Sequence, residues 1–590
     1  MAMNSEKYKD ASPEITIQRI QDCFEKVGIR LSHEVRKRME HIYSSIVKET
    51  SCGWSTAGKG TTTELCLASG YAEAMEHLCN YCAFDYSKTG AGDREYLGFQ
   101  RFPDEELLDI NSLGEINPVV LEELKEAFEL EGESSGLDRL SMTWSSLLKQ
   151  DRISLVPYYS VKTDGPVYLP EAILGKLCGS TGGGAGNTPE EAIGHALDEI
   201  SERYAKYEIY SRELTPPDIP IDIIREMCPE LYKIIDTIQT DRNYMIKVKD
   251  ASLGRGFPVV AVCLINRHEH TYTVNFGSHP CFEIALERCF TEMFQFMDIG
   301  QKATYHHKNP EVWRPDESDV HSIRNWVSLL RDDTGKVPTA FFGKRSSWTY
   351  KKWGFYEKYT NAFGVKLQID NFIRLGVKDI YIRNNSFLGF PVYRVYIPYI
   401  SSSHFTLNDT ILRNYEAGRW LIEQILYHDL DKLSAEQYQT LLQLFSKNSY
   451  TSSWIIRDVK ESFIDILYAA LIKEIYKDSQ WIEYVNKVRD DAALAILDDE
   501  VLHGRKIDEE DRDSIIEAFY GDNILEIVCA WRTETPFLSL CQYLKKKGYF
   551  RMRIDDDQKK QSHISETYRN LKREMLNNIP DQIMTRSLVK

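Results

Sequence analysis

The chain has 590 residues, of which 42% are hydrophobic and 12% aromatic, and its formal net charge is −17. This composition is typical of a folded protein, and the length exceeds one ordinary core, so two or three domains are expected. The negative charge argues against nucleic-acid binding as the main function. No apolar run approaches membrane-spanning length, and the N-terminus does not resemble a signal peptide. We therefore expect a cytoplasmic protein whose twelve cysteines are reduced.

The first fifty residues are predicted to form a polar lead-in followed by helices. The next stretch, Gly53–Gly60 with the sequence GWSTAGKG, fits the phosphate-loop pattern GxxxxGK. A phosphate loop needs Ser or Thr at the following position to bind magnesium, and Gly60 stands there instead. We therefore prefer a tight loop of small residues that leads into a helix.

A first amphipathic helix is predicted over about residues 61–84. Apolar side chains recur along one side at helical spacing, and the opposite side carries a polar set, Ser69, Glu73 and Glu76. His77 lies next to this set. A polar face of this kind is most often simply solvated, so the helix alone does not establish a site.

A glycine-rich stretch, Gly179–Gly186, leads into a second helix of the same type that extends to Tyr210. Thr188 fits the N-cap and Pro189 the first helical position. The side opposite the apolar stripe carries three carboxylates, Glu191, Glu199 and Glu202. Like charges at this spacing repel and favour a bound cation, and a glycine loop at a helix N-terminus is typical of a phosphate site. The combination indicates a metal ion together with a nucleotide.

Strands are predicted between these helices and after them, with one hairpin turning at Asp164-Gly165. Their ranges are 156–169 for the hairpin, 244–248, 258–265, 272–276, 380–382 and 392–397. A third helix begins after Pro280 and carries Arg288, Glu292 and Gln295 opposite its apolar stripe. Three helices with such faces favour a shared polar cleft over three separately solvated surfaces.

Beyond Ser401 the apolar spacing is helical and strand signals fade. We therefore predict two domains, residues 1–400 and residues 401–590, of which the second is all-helical. No repeat of fixed length is evident, so TPR-like packing is only one form considered for this domain. Partner contact or dimerisation and a plain structural cap are equally open as its role.

Four segments of the chain together resemble the YcaO family over roughly residues 1–400. They are KDASPE at Lys9–Glu14, GKGTTTELCLASGYAEAMEH at Gly58–His77, AGNTPEEAIGHALDEISER at Ala185–Arg203 and GSHPCFEIALERCFTE at Gly277–Glu292. The resemblance implies a mixed α+β fold, in which a YcaO-type ATP-binding domain of sheets and packed helices is followed by an all-helical domain. It also implies ATP and Mg2+ as cofactors, bound without a phosphate loop.

The resemblance further implies roles for the residues at matching positions. The carboxylates of the three helices would hold metal ions, namely Glu73, Glu76, Glu191, Glu199, Glu202 and Glu292. ATP would be contacted by Lys9, Thr16, Ser69, Asn187, Arg203 and Arg288. Magnesium takes carboxylate oxygens together with phosphate oxygens and water, so the bottom-up chemistry agrees with these roles. No catalytic residue is assigned.

Characterised members of the family phosphorylate a peptide-bond oxygen, after which a thiol, hydroxyl or sulfide attacks the carbonyl and phosphate leaves. The resemblance therefore implies an ATP-dependent enzyme that activates a backbone amide or carboxylate oxygen of a peptide or protein. The family member with the same two-domain layout further implies β-methylthiolation of a small-subunit ribosomal protein beside the radical enzyme RimO. We expect a homodimer, with no membrane partner and no direct nucleic-acid partner.

Three features depart from the family pattern. His77 stands in place of an arginine, so a cationic contact there becomes pH-dependent or is lost. Thr16 replaces a serine and keeps the hydroxyl. The sequence ends in TRSLVK, without the proline-rich tail of the azoline-forming members. The missing tail argues against azoline synthesis, and together with His77 it favours a non-catalytic ATP-binding accessory or scaffold protein. This accessory role and a thioamide- or azoline-forming enzyme are the alternatives to the main interpretation.

Overall fold

The computed structural model describes most of the chain in several stretches. They are residues 8–50, 54–81, 102–127, 152–295, 335–402, 461–477, 479–488, 490–547 and 558–589, with the short pieces 325–326, 329–330, 433–435, 437–438 and 441–442. By its internal contacts the chain divides into two compact units. The first comprises Met1–Arg314, Asn325–Asn408 and Asp557–Lys590, and the second comprises Pro315–Arg324 and Asp409–Asp556. The contacts thus divide the predicted helical region, residues 401–590, between the two units.

The described helices and strands are numbered separately in chain order. The helices are α1 (Pro13–Lys26), α2 (Thr63–Tyr81), α3 (Pro118–Ala127), α4 (Glu171–Cys178), α5 (Pro189–Ser211), α6 (Ile221–Met227), α7 (Pro229–Thr240), α8 (Phe282–Met293), α9 (Asn361–Leu375), α10 (Glu461–Tyr476), α11 (Trp481–Val485), α12 (Asp491–Gly504), α13 (Glu509–Tyr520), α14 (Asp522–Trp531), α15 (Pro536–Lys546), α16 (Gln558–Asn577) and α17 (Arg586–Val589). The strands are β1 (Leu31–Met39), β2 (Ile42–Glu49), β3 (Ser55–Gly60), β4 (Glu106–Asp109), β5 (Arg152–Ser160), β6 (Gly165–Pro170), β7 (Gly183–Ala185), β8 (Tyr244–Asp250), β9 (Val259–Asn266), β10 (Thr271–Ser278), β11 (Tyr381–Asn384) and β12 (Val392–Tyr396).

The first sheet is antiparallel, with the strand order β1-β2-β3. The expectation of helices across residues 1–50 is wrong after Lys26, where β1 and β2 form a hairpin. Gly28 stops α1 because its φ of +80° suits glycine. Residues 46–49 then alternate between exposed and buried, which is the period of a half-buried strand.

The second sheet, with the order β10-β9-β8, is covered on both faces. Its strand β9 has the nearly continuous apolar sequence VVAVCLI, which suits a strand without a solvated side. Val260 and Val262 pack in the same core as α7 and α8, whereas Ala261 and Cys263 pack with α5 and α9. This sheet therefore fixes α8 and α5 on opposite sides of a common layer.

The third sheet has the strand order β4-β5-β11-β12-β7, and β6 pairs with β5. All of its pairings are antiparallel. Helices α2 and α5 both pack against β7 and β12. Because α8 also reaches β2 and β3, the sheets bring α2, α5 and α8 into one neighbourhood.

The second unit is helical from α10 to α15, as far as the structure describes it. Its core includes Trp481 and Trp531, whose ring centroids lie 5.0 Å apart, with Lys473 Nζ above both rings. The segment from α16 to α17 instead joins the first unit. There Gln582 Nε2 donates to the Asn384 carbonyl at 2.9 Å, and the Asn384 amide donates back to Gln582 Oε1 at 2.7 Å.

The predicted mixed α+β fold with a helical C-terminal region is confirmed. Each predicted strand range from 156 onward coincides with an observed strand, and the hairpin turns at Asp164, whose φ is +56°. Across the part of the chain that the structure describes, no helix is both long enough and apolar enough to cross a membrane.

Candidate nucleotide and metal site

Strand β3 carries a lysine between two glycines that touch helix α2. A Cβ on Gly58 would lie 2.2 Å from the Cys66 carbonyl oxygen, and a Cβ on Gly60 would lie 2.5 Å from the Cys66 amide nitrogen. The strand can therefore lie directly on the helix only with glycine at both positions. Because side chains alternate along a strand, Lys59 points away from the helix, where its ammonium contacts Glu292. The predicted loop, Gly53–Gly60, is thus a strand from Ser55 onward, and Gly53 lies outside the described part.

Helix α2 places two of the predicted metal ligands in a poorly hydrated position. Burial raises the pKa of Glu73 to about 7, with Lys59 opposing the shift and Glu199 adding to it. Burial also raises the pKa of Glu76 well above its ordinary value, and the charges of Glu199 and Glu73 add to that shift. Ser69 is half-buried one turn before Glu73. A bound cation would relieve the cost of ionising both carboxyl groups.

The glycine-rich stretch before α5 contains a short edge strand. Gly183–Ala185 forms β7 and pairs with β12, and Gly182 precedes it with a φ of +85°. A Cβ on Gly184 would lie 2.1 Å from the Ala192 carbonyl oxygen, so these glycines let α5 pack directly on the strand. The Gly182 amide donates to Glu199 Oε2 at 3.0 Å. A phosphate contact by this stretch stays a prediction.

The beginning of α5 joins four predicted residues in one hydrogen-bonded group. Thr188 caps the helix by accepting from the Glu191 amide at 3.2 Å. The Glu191 carboxylate receives Lys9 Nζ at 2.9 Å and Asn187 Nδ2 at 3.2 Å, and Thr16 Oγ1 donates to Asn187 Oδ1 at 2.9 Å. Burial pushes the pKa of Glu191 upward, but Lys9 and the hydrogen bonds outweigh burial and lower that pKa. This carboxyl group is therefore held in its ionised form.

The middle of α5 carries a charged pair directed at the residues before β7. Arg203 Nη2 lies 2.7 Å from Glu199 Oε1, and Arg203 Nη1 donates to Thr181 Oγ1 at 2.6 Å. Glu202, the neighbouring residue on the helix, is half-buried. The guanidinium of Arg203 is thus oriented by contacts on both sides of the cleft between the helix and the glycine-rich stretch.

Helix α8 supplies the third polar face. Arg288 Nη1 donates to Asp198 Oδ2 of α5 at 2.6 Å, and Glu292 contacts the Lys59 ammonium from β3. Burial raises the pKa of Asp198 to about 6, although Arg288 opposes this shift. Burial lowers the pKa of Lys59, and the nearby charge of Glu202 opposes that shift. The faces of α5 and α8 are therefore joined by an ion pair, and Lys59 lies near both.

The polar face of α5 lies within contact distance of those of α2 and α8, and the region between these helices is here called the cleft. His195 Nδ1 of α5 lies 3.9 Å from Glu76 Oε2 of α2, and 49% of the His195 side chain is exposed. Even so, burial lowers the pKa of His195 well below its ordinary value, and Arg288 and Lys9 lower it further.

The carboxylates are paired with cations of the chain in this conformation. Among the described residues, no three His, Cys, Asp or Glu side chains are arranged as a metal-binding group. Three predicted metal ligands instead form ion pairs, Glu191 with Lys9, Glu199 with Arg203, and Glu292 with Lys59. The pKa values of Glu73 and Glu76 are raised mainly by burial, with the charge of Glu199 adding to both shifts, and an all-oxygen donor set suits Mg2+. The residues therefore fit a magnesium nucleotide.

His77 does not replace the charge of the arginine found in the family pattern. Burial lowers the pKa of His77 to about 4, so the imidazole is neutral at neutral pH. Its ring centroid lies 6.3 Å from that of Trp54 in an edge-on arrangement. The positive charge that the resemblance implies at this position is therefore absent at neutral pH.

Comparison with known proteins decides the family. A family model described as YcaO cyclodehydratase, ATP- and Mg2+-binding, matches residues 57–401, which is more than half of the chain. The chain belongs to the YcaO family. The predicted cofactors, ATP and Mg2+, are those of the family and are confirmed at that level.

Two curated relatives extend the similarity along most of the chain. The Escherichia coli (strain K12) protein named Ribosomal protein S12 methylthiotransferase accessory factor YcaO is 27% identical over 460 residues, covering 76% of this chain and 75% of the relative. An uncharacterized protein of Haemophilus influenzae is 26% identical over 458 residues, covering 74% and 72%.

Solved structures of the family are more distant. A heterocyclase in complex with substrate and cofactor has a TM-score of 0.44 and 18% identity, covering 66% of this chain and 52% of the heterocyclase, about half of its length. The YcaO protein of Methanopyrus kandleri bound with AMPPCP and Mg2+ has a TM-score of 0.39 and 16% identity, covering 66% and 91%.

The structure adds two charged residues that sequence reasoning did not assign to the site. The direction of Lys59 could in principle be predicted from the sequence. A lysine between two glycines in a strand points away from the surface that the glycines touch. Asp198 shares the α5 face with the predicted ligands, but nothing in its spacing shows that Arg288 lies opposite. Such a pair joins residues 90 positions apart, which helical periodicity cannot reveal.

Proposed function

We propose that this chain is an ATP-dependent enzyme that phosphorylates the oxygen of a backbone amide or carboxylate in a peptide or protein substrate. One observation carries the proposal, namely that the polar faces of α2, α5 and α8 meet at a cleft that also receives Lys59. The family description as a cyclodehydratase that binds ATP and Mg2+ supports the same class of reaction.

The cations of the cleft have defined positions before any ligand binds. Arg203 is fixed by Glu199 and Thr181, and Arg288 is fixed by Asp198. Cations that are already oriented need little further ordering when they meet phosphate oxygens, and they stabilise charge that develops during transfer. We assign the phosphate contacts of ATP to the four cations at the cleft, Lys9, Lys59, Arg203 and Arg288.

The carboxylates have the complementary role. Bound Mg2+ neutralises phosphate charge and orients the phosphoryl group. The residues proposed to hold it are those predicted from the sequence, Glu73, Glu76, Glu191, Glu199, Glu202 and Glu292. Thr16, Ser69 and Asn187 are proposed to contact the nucleotide, since Thr16 and Asn187 already position the Glu191 carboxylate.

The proposed reaction has two steps. The substrate oxygen attacks the γ-phosphorus, the bond to the oxygen of the β-phosphate breaks, and ADP leaves. A nucleophile then attacks the activated carbonyl carbon, and inorganic phosphate leaves with the original oxygen. The protein therefore has to position the substrate oxygen in line with the leaving ADP and exclude water from the γ-phosphate.

Thermal unfolding with nucleotide tests the binding part of this proposal. A ligand that binds only the folded protein at about 100 times its Kd adds roughly 2.7 kcal/mol to the free energy of unfolding. We expect ATP with Mg2+ to raise the Tm and ATP with EDTA to raise it much less. Absence of a shift and of calorimetric heat at millimolar nucleotide would overturn the proposal. Phosphate release with and without a peptide substrate then tests turnover, and the nucleotide product identifies the bond that breaks.

A second candidate is an accessory role in methylthiolation of a small-subunit ribosomal protein beside a RimO-like radical enzyme. It is favoured by the name of the Escherichia coli relative, a methylthiotransferase accessory factor. In this case ATP binds, the chain releases no phosphate with any peptide, and the modification of the ribosomal protein by the radical enzyme still depends on the chain. A homodimer and a cytoplasmic location stay predictions from the sequence, which sedimentation and cell fractionation can test.

A further inference from the structure

A second charged surface lies outside the acidic helices, on the segment Lys344–Lys358, here named the basic strap. This segment has no regular helix or strand. Within it five cations face one carboxylate, Glu357, which gives a formal charge of +4 in a chain whose net charge is −17. All five cations are exposed, namely Lys344, Arg345, Lys351, Lys352 and Lys358. No carboxylate in the described ranges forms an ion pair with any of them.

The basic strap is fixed to the protein by its aromatic residues. Trp348 Nε1 and Trp353 Nε1 each donate to one oxygen of the buried Asp250 carboxylate, both at 3.1 Å. The Phe282 ring packs edge-on against the Trp353 ring, with 5.3 Å between centroids. The centroid of the Phe355 ring also lies 5.1 Å from that of Phe282. The Trp348, Trp353 and Phe355 side chains therefore contact the protein, whereas Tyr356 and the five cations are exposed.

Backbone contacts hold the basic strap in the same orientation. The Ser347 amide donates to the Thr215 carbonyl at 2.8 Å, and the Phe282 amide donates to the Gly354 carbonyl at 3.1 Å. Gly354 has a φ of +76°, and a Cβ there would lie 2.5 Å from the Phe282 nitrogen, so only glycine fits. A row of cations on a fixed backbone binds a ligand without the entropy cost of ordering a loop.

The basic strap ends beside the proposed nucleotide site. Tyr359, the next residue, lies 5.4 Å from Tyr8 between ring centroids and 5.3 Å from His279. Tyr8 precedes Lys9, which is paired with Glu191. A polypeptide bound along the strap would therefore reach the cleft at its Lys358 end.

We propose that the basic strap binds an acidic segment of the polypeptide substrate and so directs that substrate to the cleft. The inference rests on the proposed function, because the peptide is the substrate of that reaction. Nucleic acid fits the surface less well, since base stacking needs free ring faces. The Trp348, Trp353 and Phe355 rings contact the protein, and the exposed Tyr356 ring packs edge-on with Phe363. An acidic peptide needs only the unpaired cations that the strap presents.

The test uses the full chain and a fluorescein-labelled peptide of alternating Glu and Gly, followed by fluorescence anisotropy. In the strap variant Gln replaces four cations, which are Lys344, Arg345, Lys351 and Lys352. In a control variant with the same change of net charge, Gln replaces four exposed cations elsewhere, which are Lys26, Arg30, Lys37 and Lys487. Exposed ion pairs are individually weak, so we expect about tenfold weaker peptide binding by the strap variant and little change in the control.

Three outcomes overturn the proposal. The first is that the strap variant binds the Glu peptide as tightly as the parent does. The second is that the control variant loses as much affinity for the peptide as the strap variant does. The third is that single-stranded DNA binds more tightly than the peptide and that its binding depends on the strap. Any binding of a Lys-Gly peptide is expected to be the same for the parent and the strap variant, and added salt is expected to weaken binding of the Glu peptide. Magnesium ATP should raise the Tm of the parent and strap variant equally. Failure of that shift contradicts the proposed nucleotide function, whereas the anisotropy result tests the strap separately.

Discussion

An almost fully buried ion pair lies beneath the glycine-rich stretch. The side chains of Arg394 on β12 and Glu171 on α4 are only 2% and 3% exposed. Tyr158 donates its hydroxyl to the same carboxylate at 2.5 Å, and Arg394 Nη2 donates to the Gly179 carbonyl at 3.4 Å. The pair therefore connects the sheet to the beginning of the stretch that carries Thr181, a hydrogen-bond partner of Arg203.

Replacing Arg394 with Met leaves the Glu171 carboxylate buried without its cation. Removing one partner of a buried pair costs about 3–5 kcal/mol, because the remaining charge is uncompensated. Replacing both partners with Met should recover most of this loss, since a buried pair exchanged for apolar side chains is often neutral. The Tyr158 hydroxyl then lacks its acceptor, so a cost of about 1 kcal/mol should remain.

Hydrogen–deuterium exchange of the β12 amides measures the change in the free energy of unfolding of the first unit, to which β12 belongs. The Val395 amide donates to the Gly182 carbonyl at 2.7 Å and serves as the reporter. A loss of 3–5 kcal/mol corresponds to exchange that is about two to four orders of magnitude faster for Arg394→Met. The double variant should return to within roughly tenfold of the parent. The reasoning is refuted if the single variant exchanges at nearly the parental rate or if the double variant exchanges as fast as the single one.

Two further predictions concern α5. Glu202→Gln should cut ATP turnover by orders of magnitude and leave the Tm nearly unchanged, because it removes a charged residue that we propose as a metal ligand. Glu208→Gln should lose only the ion pair with Arg212, so equal phosphate release by both variants would contradict the metal role. Gly184→Ala should lower the Tm, because its Cβ would lie 2.1 Å from the Ala192 carbonyl oxygen and the repacking costs about 1–3 kcal/mol. The control Gly175→Ala, in α4, places its Cβ in open space and should be neutral or stabilising. Equal Tm values for the two variants in calorimetry would refute this packing argument.

Local patterns predicted much of the fold because they coincide with the physical period of each element. The Thr188 cap and Pro189 mark the beginning of α5, and the Asp164-Gly165 turn marks the β5–β6 hairpin. The same approach failed at residues 31–49, where charged residues on the exposed β1 obscure the period of two. It also failed at residues 55–60, where glycines are needed for contact with α2 rather than for a turn.

The sequence predicted the polar face of each helix separately, but not how the three faces contact one another. Helical spacing identified which side of α2, α5 and α8 is polar, and the family resemblance named the residues. Neither source gives the partner of each charge, since Lys59–Glu292 and Arg288–Asp198 join distant parts of the chain. Those pairings depend on how the sheets place the helices, which is a tertiary property.

The pairings also explain how so many charges coexist in one cleft without a ligand. Lys9, Lys59 and Arg203 each neutralise a carboxylate that we propose as a metal ligand. A magnesium nucleotide carries both signs of charge, so its phosphates can take these cations while its metal takes the released carboxylates. ATP alone would leave carboxylates unpaired, and Mg2+ alone would leave cations unpaired. We therefore expect these ion pairs to favour joint binding of ATP and Mg2+ over binding of either one, which is a thermodynamic coupling and acts reciprocally.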